Sequence, residues 1–320
     1  MKTLIVENKE LKLIDLTKPE LKDKGAILKV SGCGLCGSDI VKYLHSEPNK
    51  DIKLGHEIVA EIVEIKSETN FAVGDKIVVS HHIPCLNCEF CKNGHFSMCE
   101  HFKKTNFYPC GFSEYVYITE EHLQNTAFKI PKNLTEVEAS FYEPLACCIR
   151  AVKKACDGNT LVIGLGSIGL LMGQVLNAYG ARAFGCDILQ NRIDLANKLG
   201  ISSVNSSMIE EKKYDSIFMT SGADATIDIA LKAVKDGGTI VVFSSTPKNF
   251  GYANNEIYYR ELTILGSYSP SLDDLKESIK LLSDKKVMVE GISTIYPFDR
   301  VKDAFEDTMS NKILKAYVKM

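Results

Sequence analysis

The chain has 320 residues, a length that suggests two domains, each large enough for a hydrophobic core of its own. Hydrophobic residues make up 45% and charged residues 25% of it, as in ordinary soluble globular proteins. The net charge of -3 gives no electrostatic reason to expect a nucleic acid or an anionic membrane as a partner. The apolar run Leu4-Ile5-Val6 is interrupted by Glu7, so it is not a signal-peptide core, and we expect a cytoplasmic protein.

The cysteines are unevenly distributed, because ten of the eleven precede residue 160. Structural disulfides in such number are unusual without a secretory signal, so the clustering favours metal binding. The chemistry is therefore expected in the first half of the chain. Residues 1 to 30 consist of short alternating segments broken by charged turns, which predict strands of an antiparallel β domain.

The first candidate site combines Cys36 with the pair His56-Glu57. A thiolate, an imidazole and a carboxylate form a ligand set suited to catalytic zinc, which keeps one position open for water or substrate. Cys33 and Cys36 also form a C-x-x-C pair, but no thioredoxin-like βαβ pattern surrounds them. On this segment alone, a buried cysteine beside an unrelated histidine is an equal alternative.

The second candidate site is a loop with four cysteines, spaced Cys85-x2-Cys88-x2-Cys91-x7-Cys99, which follows predicted strands at 58–65 and 77–79. Four thiolates on one short loop predict a closed, tetrahedral structural zinc site. A bacterial iron–sulfur run would need its fourth cysteine after three residues and then a proline, whereas Glu100 follows Cys99. A zinc ribbon for nucleic acid is disfavoured because the loop has few basic residues. Four flanking histidines are expected at the surface: His81, His82, His95 and His101.

The end of the first half contains an acid in an apolar setting. Residues 111–118 predict another strand, preceded by Cys110, which we interpret as a packing residue. Glu143 then precedes a proline within the apolar segment 141–148. A buried carboxylate needs a partner, and bound zinc would provide one. Cys147 and Cys148 in the same segment are expected in the core of a helix.

Residues 160–187 form the most informative stretch. A buried strand is predicted at 160–163, and it is followed by the turn Gly164-Leu165-Gly166-Ser167-Ile168-Gly169, an amphipathic helix and a second strand that ends at Asp187. This is the dinucleotide-binding arrangement, in which glycines let the backbone approach a pyrophosphate at the helix N-terminus. Asp187 can accept hydrogen bonds from both ribose hydroxyls and would repel a 2′-phosphate, which favours NAD over NADP. The alternatives are a βαβ crossover without cofactor and, with less support, a transmembrane helix.

After Asp187, predicted helices and strands alternate. Helices are expected at 191–199, 225–234 and 272–282, and strands at 214–220, 239–243 and 262–265. This alternation predicts an α/β fold with a doubly wound parallel (Rossmann) sheet. Beyond residue 291 the pattern changes to a strand at 295–296, a helix capped at Asp299 and a strand at 316–318.

Together these motifs resemble those of the zinc-dependent medium-chain alcohol dehydrogenase family over nearly the whole chain. The matching residues are Gly-Leu-Cys-Gly-Ser-Asp at 34–39, Gly-His-Glu at 55–57, the four-cysteine loop, Glu-Pro-Leu at 143–145, the glycine fingerprint and Asp187. Glu143, where ethanol-type enzymes have a cysteine, is similar to the sorbitol and threonine dehydrogenase branch. The resemblance implies a GroES-like antiparallel β catalytic domain at 1–152, an NAD-binding domain at 153–284, and a C-terminal segment at 285–320 that returns to the first domain.

The resemblance also implies roles for individual residues. Cys36 and His56 would bind catalytic zinc, with Glu57 or Glu143 as a third ligand that can exchange. Asp39 would orient His56, and Ser38 would hydrogen-bond the substrate hydroxyl and pass its proton outward. Structural zinc would be bound by Cys85, Cys88, Cys91 and Cys99. NAD would contact Gly164, Gly166, Ser167, Ile168, Gly169, Asp187 and Ser221.

The chain departs from the family pattern in two places. Val41 occupies the position where many relatives have a histidine that completes the proton relay. The proton would then leave by the ribose, by water or by His45. The segment between Cys36 and His56 is shorter than in most relatives, and in them it helps to form the wall of the substrate pocket.

These residues predict a zinc- and NAD-dependent dehydrogenase that oxidises a secondary alcohol of a polyol, sugar or amino alcohol to a ketone. L-threonine 3-dehydrogenase is an alternative enzyme. An alternative of another class is a catalytically silent NAD-binding regulatory protein of the same fold, against which the intact Cys36, Ser38, His56 and Glu143 argue. The expected partner is a small-molecule alcohol, with no nucleic acid and no membrane. Residues 255–265 predict an open sheet edge, where the resemblance implies a homodimer or homotetramer.

Overall fold

The structure is a computed structural model that describes residues 1–21, 23–47, 52–156, 158–244 and 254–320. The chain forms two compact units. The first comprises Met1–Glu143, Ser278–Ser283 and Val289–Met320, and the second comprises Pro144–Glu277 and Asp284–Met288. The domain boundaries expected from the sequence stay a prediction.

The strands are short, as is usual for alternating or buried apolar runs bounded by turns. They are β1 Lys2–Glu7, β2 Glu10–Asp15, β3 Gly25–Gly34, β4 Glu57–Lys66, β5 Lys76–Val79, β6 Tyr115–Thr119, β7 Ala127–Lys129, β8 Asn159–Ile163, β9 Arg182–Asp187, β10 Ser202–Asn205, β11 Tyr214–Met219, β12 Val234–Val242, β13 Thr263–Gly266, β14 Ser293–Pro297 and β15 Lys315–Lys319.

The longest helices are in the second half of the chain. The helices are α1 Gly37–Leu44, α2 Glu89–Lys92, α3 Glu100–Lys104, α4 Glu120–Asn125, α5 Glu136–Ala139, α6 Tyr142–Val152, α7 Ser167–Ala178, α8 Gln190–Lys198, α9 Ala225–Ala233, α10 Asn254–Tyr259, α11 Leu272–Ser283 and α12 Val301–Met309. Short 3-10 turns cover Phe96–Met98, Ser206–Met208 and Phe298–Arg300.

The first unit is built on a mostly antiparallel sheet with the strand order β14-β15-β3-β4-β5-β7, in which β6 also pairs with β3. Strands β1 and β2 form a separate antiparallel hairpin. Side chains of β3 and β4 that point to one face, such as Leu28, Val30, Ile58 and Ile62, are fully buried in one apolar core. Burial of this face stabilises the sheet that holds the first candidate site.

The register of β3 brings distant segments together. Gly34 at the end of β3 pairs with Glu57 at the start of β4 on one side. On the other side, Gly34 pairs with Tyr317 of β15. Because Cys36 follows β3 and Lys315 begins β15, the thiol, the pair His56-Glu57 and Lys315 converge at one end of the sheet.

The second unit contains a parallel sheet with the strand order β10-β9-β8-β11-β12-β13. Its central strands are apolar without alternation, because helices cover both faces of such a sheet. The strand order reverses between β8 and β11, and ligands of doubly wound sheets bind at the carboxyl ends of the strands at this point. The doubly wound sheet expected from the sequence is therefore present, and β13 lies at its edge.

Two predicted elements have different bounds in the structure. The strand expected at 111–118 begins only at Tyr115, because Gly111 and Phe112 donate their N–H groups to the carbonyls of Gly55 (3.2 Å) and Leu54 (3.2 Å) instead. The helix expected to be capped at Asp299 begins at Val301 with Arg300 as its N-cap, since Asp299 lies inside a 3-10 turn.

Candidate functional site

Asp39 joins the two segments of the first candidate site. Its carboxylate accepts hydrogen bonds from the N–H of Cys36 (3.2 Å) and from the N–H of Gly55 (2.9 Å). Asp39 is fully buried in α1, and Cys36 is the N-cap residue of that helix. The carboxylate thus fixes the loop with the thiol against the loop with the imidazole.

The ligand atoms of Cys36, His56 and Glu57 all lie within 4.8 Å of one another. His56 Nδ1 lies 3.5 Å from Asp39 Oδ1, which is long for a hydrogen bond but close for an electrostatic contact. Burial alone opposes both charges, yet the pKa of His56 is raised well above its ordinary value by Asp39 and Cys36, and the pKa of Asp39 is lowered by His56. A soft thiolate, a borderline imidazole and a hard carboxylate at this spacing fit a zinc ion.

Glu57 has a second partner that the sequence did not indicate. Lys315 Nζ lies 2.5 Å from Glu57 Oε2, and both side chains are almost completely buried. Burial would lower the pKa of Lys315, but the negative charges of Glu57 and Cys36 outweigh it, so the pKa is raised. The ammonium also donates to the carbonyl of Leu35 at 3.3 Å. Nothing in the sequence distinguishes Lys315 from other lysines in alternating strands. Only the pairing of β15 with β3 shows that it lies next to Glu57.

Gly34 makes room for this pair. A Cβ atom at Gly34 would overlap Glu57 Oε2, so a side chain there would displace the carboxylate. The sequence pattern included Gly34 in the family motif, but the reason for a glycine becomes visible only through its pairing with Glu57.

Glu143 lies in the first turn of α6 and is buried, with 7% of its surface exposed. Within the described residues it is not part of a group of three ligands within 4.8 Å, whereas Glu57 is. Its negative charge nevertheless raises the pKa of Lys315, after the effects of Glu57 and Cys36. Glu143 therefore lies close enough to share the electrostatic environment of Glu57.

The four-cysteine loop brings its thiols together as the spacing predicts. The Sγ atoms of Cys85, Cys88, Cys91 and Cys99 lie within 4.8 Å of one another. Burial and the neighbouring thiols raise the pKa of Cys91 to about 12, whereas hydrogen bonds outweigh burial at Cys99 and lower its pKa to about 6. Phe96 and Phe102 pack against the cluster. Four thiols in this closed arrangement fit a structural zinc ion.

The expectation that the neighbouring histidines lie at the surface is wrong for His81. Its side chain is buried, and its ring centroid lies 4.8 Å from that of His56. Burial lowers the pKa of His81 well below its ordinary value. The ring of His82 is half-buried between His81 (3.8 Å) and Phe102 (4.6 Å), and burial lowers its pKa to about 4. Both imidazoles are therefore neutral packing groups at neutral pH.

The glycine turn has the close contacts that its sequence requires. Gly164 has a φ of 95°, a conformation that favours glycine, and a Cβ at Gly169 would overlap the carbonyl oxygen of Gly164. Helix α7 begins at Ser167 without a side-chain cap, so the N–H groups of its first turn are available to an anion. Ser221 lies against Gly164, and its carbonyl accepts a hydrogen bond from Ser244 Oγ at 2.8 Å.

Asp187 is fixed at the end of β9 by this turn. Its Oδ2 accepts a hydrogen bond from the N–H of Leu165 (2.8 Å), and its Oδ1 accepts one from the N–H of Leu189 (2.9 Å). Arg192 Nη1 lies 3.5 Å from Asp187 Oδ2. Arg192 was not predicted from the sequence. It follows Asp187 by little more than one helical turn, and a cation that balances the acid is expected at such a short separation. A glycine turn, an open helix N-terminus and an oriented carboxylate fit a dinucleotide.

Comparisons with known proteins agree with this geometry. The family model for an alcohol dehydrogenase GroES-like domain matches residues 22–132, and the model for a zinc-binding dehydrogenase matches residues 167–284. Fold and sequence thus define a zinc-binding, nicotinamide-dependent oxidoreductase. The chain belongs to the zinc-dependent medium-chain alcohol dehydrogenase family. The family and fold expected from the sequence are therefore confirmed.

Individual relatives span nearly the whole chain. D-xylulose reductase A from Aspergillus oryzae is 27% identical over 345 residues, covering 97% of this chain and 93% of that protein. D-arabitol-phosphate dehydrogenase from Enterococcus avium is 28% identical, covering 97% and 94%. The crystal structure of galactitol-1-phosphate dehydrogenase from Escherichia coli shares the fold with a TM-score of 0.86 at 22% identity, covering 100% of both chains. In the described part of this chain, no helix is long and apolar enough to cross a membrane.

Proposed function

We propose that this chain is a zinc- and NAD-dependent dehydrogenase that oxidises a secondary hydroxyl of a polyol or sugar alcohol to a ketone. The observation that carries the proposal is the convergence of Cys36, His56 and Glu57 within 4.8 Å of one another. The two relatives at 27% and 28% identity are named for a pentulose and a pentitol phosphate, which supports a polyol substrate. We assign the catalytic and C-terminal parts to 1–152 and 285–320, and the NAD-binding part to 153–284.

The reaction transfers a hydride from the carbinol carbon to NAD and releases the hydroxyl proton, giving a ketone, NADH and a proton. Zinc bound by Cys36, His56 and Glu57 would supply the Lewis acidity that lowers the pKa of the substrate hydroxyl. Asp39 holds His56 in place. Ser38, which is exposed two residues after Cys36, accepts the hydroxyl proton in exchange for its own. Val41, at the usual relay position, cannot carry a proton and is 47% exposed. Since Ser38 is exposed as well, the proton passes from Ser38 directly to solvent.

Electrostatics at Asp187 favour NAD. Each carboxylate oxygen already accepts one backbone hydrogen bond and keeps a lone pair for a ribose hydroxyl. Arg192 lies 3.5 Å from this carboxylate, so the positive charge nearest to a 2′-phosphate is already balanced. A 2′-phosphate would therefore find no net positive charge here, and the carboxylate oxygens of Asp187, which only accept hydrogen bonds, would repel it.

The carboxylates near the catalytic metal favour substrates that bind through two atoms. A carboxylate is a harder and more weakly held zinc ligand than a thiolate. Glu57 lies 2.5 Å from Lys315, so as a zinc ligand it would have an alternative partner and would not become an unpaired buried charge on release. The position it leaves suits a hydroxyl or amine next to the reacting hydroxyl. L-threonine is accordingly the second candidate substrate, since it is a vicinal amino alcohol.

The test is a comparison of alcohols with the zinc-loaded protein. We expect kcat/KM with NAD to be higher for secondary polyols with a neighbouring hydroxyl than for ethanol or butanol. Equal values for butanol and the best vicinal diol would contradict the exchange of Glu57. A clear preference for L-threonine would select the second candidate.

We also propose that the chain forms a homodimer or homotetramer through the edge strand β13. Tyr258 and Tyr259 of the preceding helix α10 are 76% and 78% exposed, which is unusual for large aromatic side chains. An open edge with apolar neighbours is a template for pairing with a second copy. Light scattering of the purified protein at micromolar concentration should give a dimer or tetramer, and a monomer would contradict this part of the proposal.

A further inference from the structure

Helix α1 presents one face to solvent next to the candidate catalytic metal. Ser38, Val41, Lys42 and His45 are all exposed and recur at positions i, i+3, i+4 and i+7 of one helical stripe. Lys42 lies four residues after Ser38, about 6 Å farther along the helix axis. Side chains on a helix tend to lean toward its N-terminus, so a lysine at this position is long enough to reach back toward Ser38.

The charge of Lys42 reaches the groups around the site. Burial is the main cause of the lowered pKa values of His81 and His82, and the positive charge of Lys42 lowers both further. His81 is the residue whose ring lies 4.8 Å from the ring of His56. Lys42 thus shares the exposed stripe of α1 with Ser38, and its charge acts on the buried groups around His56, including Asp39.

Lys42 has no ion-pair partner within the residues that the structure describes. The other lysine near the site, Lys315, is buried and paired with Glu57 at 2.5 Å. Lys42 helps to lower the pKa of the buried Asp39, but only as a minor cause after His56 and Gly55. A neutral polyol offers this ammonium only uncharged hydroxyl acceptors, whereas a phosphate or a carboxylate adds the attraction of an opposite charge to the hydrogen bond.

We propose that Lys42 binds an anionic group on the substrate, so that the physiological substrate is a polyol with a terminal phosphate monoester or carboxylate. This inference rests on the proposed oxidation of a secondary polyol at Cys36, His56 and Glu57. With zinc held by Cys36, His56 and Glu57, the carbinol would lie beside these three residues, and the anion would extend along α1 past Ser38 to Lys42. A phosphate dianion has more charge than a carboxylate, so the phosphate ester is the preferred form.

The experiment compares three matched substrates: a pentitol, its terminal phosphate ester and the corresponding aldonate. The zinc-loaded wild type should give the highest kcat/KM with the phosphate ester, and a lower value with the neutral pentitol. Lys42→Met should lower kcat/KM for the phosphate ester about tenfold or more, mainly through KM, as expected for loss of a charge-assisted hydrogen bond. The same variant should change the value for the neutral pentitol less than about twofold, and Lys42→Arg should retain most of the preference.

Two further measurements separate binding from folding. Calorimetry should show weaker binding of the phosphate ester to Lys42→Met at unchanged zinc content, and raised salt should weaken it in the wild type more than in the variant. Lys302→Met is the matched control, since Lys302 is an exposed lysine on α12 of the same unit. Equal kcat/KM values of the wild type for the neutral pentitol and both anionic forms would overturn the inference. A Lys42→Met variant with the same loss of kcat/KM for all three substrates would also overturn it. In contrast, failure to oxidise any polyol would overturn the proposed function itself, and a preference for the aldonate would select the carboxylate.

Discussion

Lys315 Nζ lies 2.5 Å from Glu57 Oε2, at the point where β15 and β4 both flank the end of β3. Lys315 is 4% and Glu57 is 2% exposed, so neither charge is compensated by water. Glu57 therefore depends on Lys315 or on a bound cation, whereas Lys315 depends on Glu57 and, to a lesser degree, on Cys36 and Glu143. Glu57 is also one of the three candidate zinc ligands, so lysine and zinc compete for one carboxylate. This competition makes stability depend on metal content in a way that can be measured.

Lys315→Met should destabilise the zinc-free protein more than the zinc-loaded protein. Without the lysine and without zinc, Glu57 is a buried carboxylate with no partner, which costs about 3 to 5 kcal/mol in similar cases. Bound zinc compensates the same charge, so the loss of unfolding free energy should be much smaller in the loaded protein. Urea unfolding of chelated and zinc-loaded samples gives both values, and Lys302→Met serves as the control. An equal loss in both forms would show that Glu57 does not reach the metal.

The two glutamates should differ in their effect on zinc affinity. Cys36→Ser should weaken binding at the catalytic site most, because it removes the thiolate. Glu57→Gln should weaken it less, and Glu143→Gln least, since Glu57 and not Glu143 lies within 4.8 Å of the other two ligands. Titration with a competing chelator measures the order, and a larger effect of Glu143→Gln would assign Glu143 as the resting ligand.

The purified protein should contain two zinc ions per chain. Cys36→Ser should lose one of them together with all activity. Cys88→Ser should lose the other and mainly lower the unfolding temperature, because the four cysteines form a hydrophobic cluster of their own with Phe96 and Phe102. Metal analysis by mass spectrometry provides the count. Iron in the protein, or a single zinc in total, would be incompatible with the two sites.

Asp187 should determine the choice of cofactor. Asp187→Asn removes the negative charge and one of the two acceptor oxygens that bind backbone N–H groups, so a 2′-phosphate is no longer repelled and meets the positive charge of Arg192, 3.5 Å from the present carboxylate. We expect the ratio of kcat/KM for NADP to that for NAD to rise about tenfold, through a higher KM for NAD and a lower KM for NADP. Arg192→Met in the same background should remove the gain for NADP. A wild type that already prefers NADP would contradict this role of Asp187.

Sequence reasoning succeeded where the chemistry lies in one short segment. The four cysteines span fifteen positions of one loop, and the glycine turn lies between one strand and one helix, so spacing alone indicated both arrangements. It failed where strand pairing decides the neighbours. Lys315 reaches the carbonyl of Leu35 across 280 positions, and Gly34 is needed because Glu57 lies opposite it. His81 was misplaced because a polar residue after a strand is usually exposed, and only the packing of His56 and Phe107 around it shows otherwise.

The most direct test of the account is NADH formation from a secondary polyol before and after removal of zinc. We predict that the zinc-loaded protein oxidises at least one such substrate with NAD, that a chelator abolishes the reaction, and that added zinc restores it. The structural reason is that Cys36, His56 and Glu57 form the one described group of three that combines a thiol, an imidazole and a carboxylate within 4.8 Å. Oxidation that continues unchanged in the zinc-free protein, or no oxidation of any secondary polyol with NAD, would contradict the account.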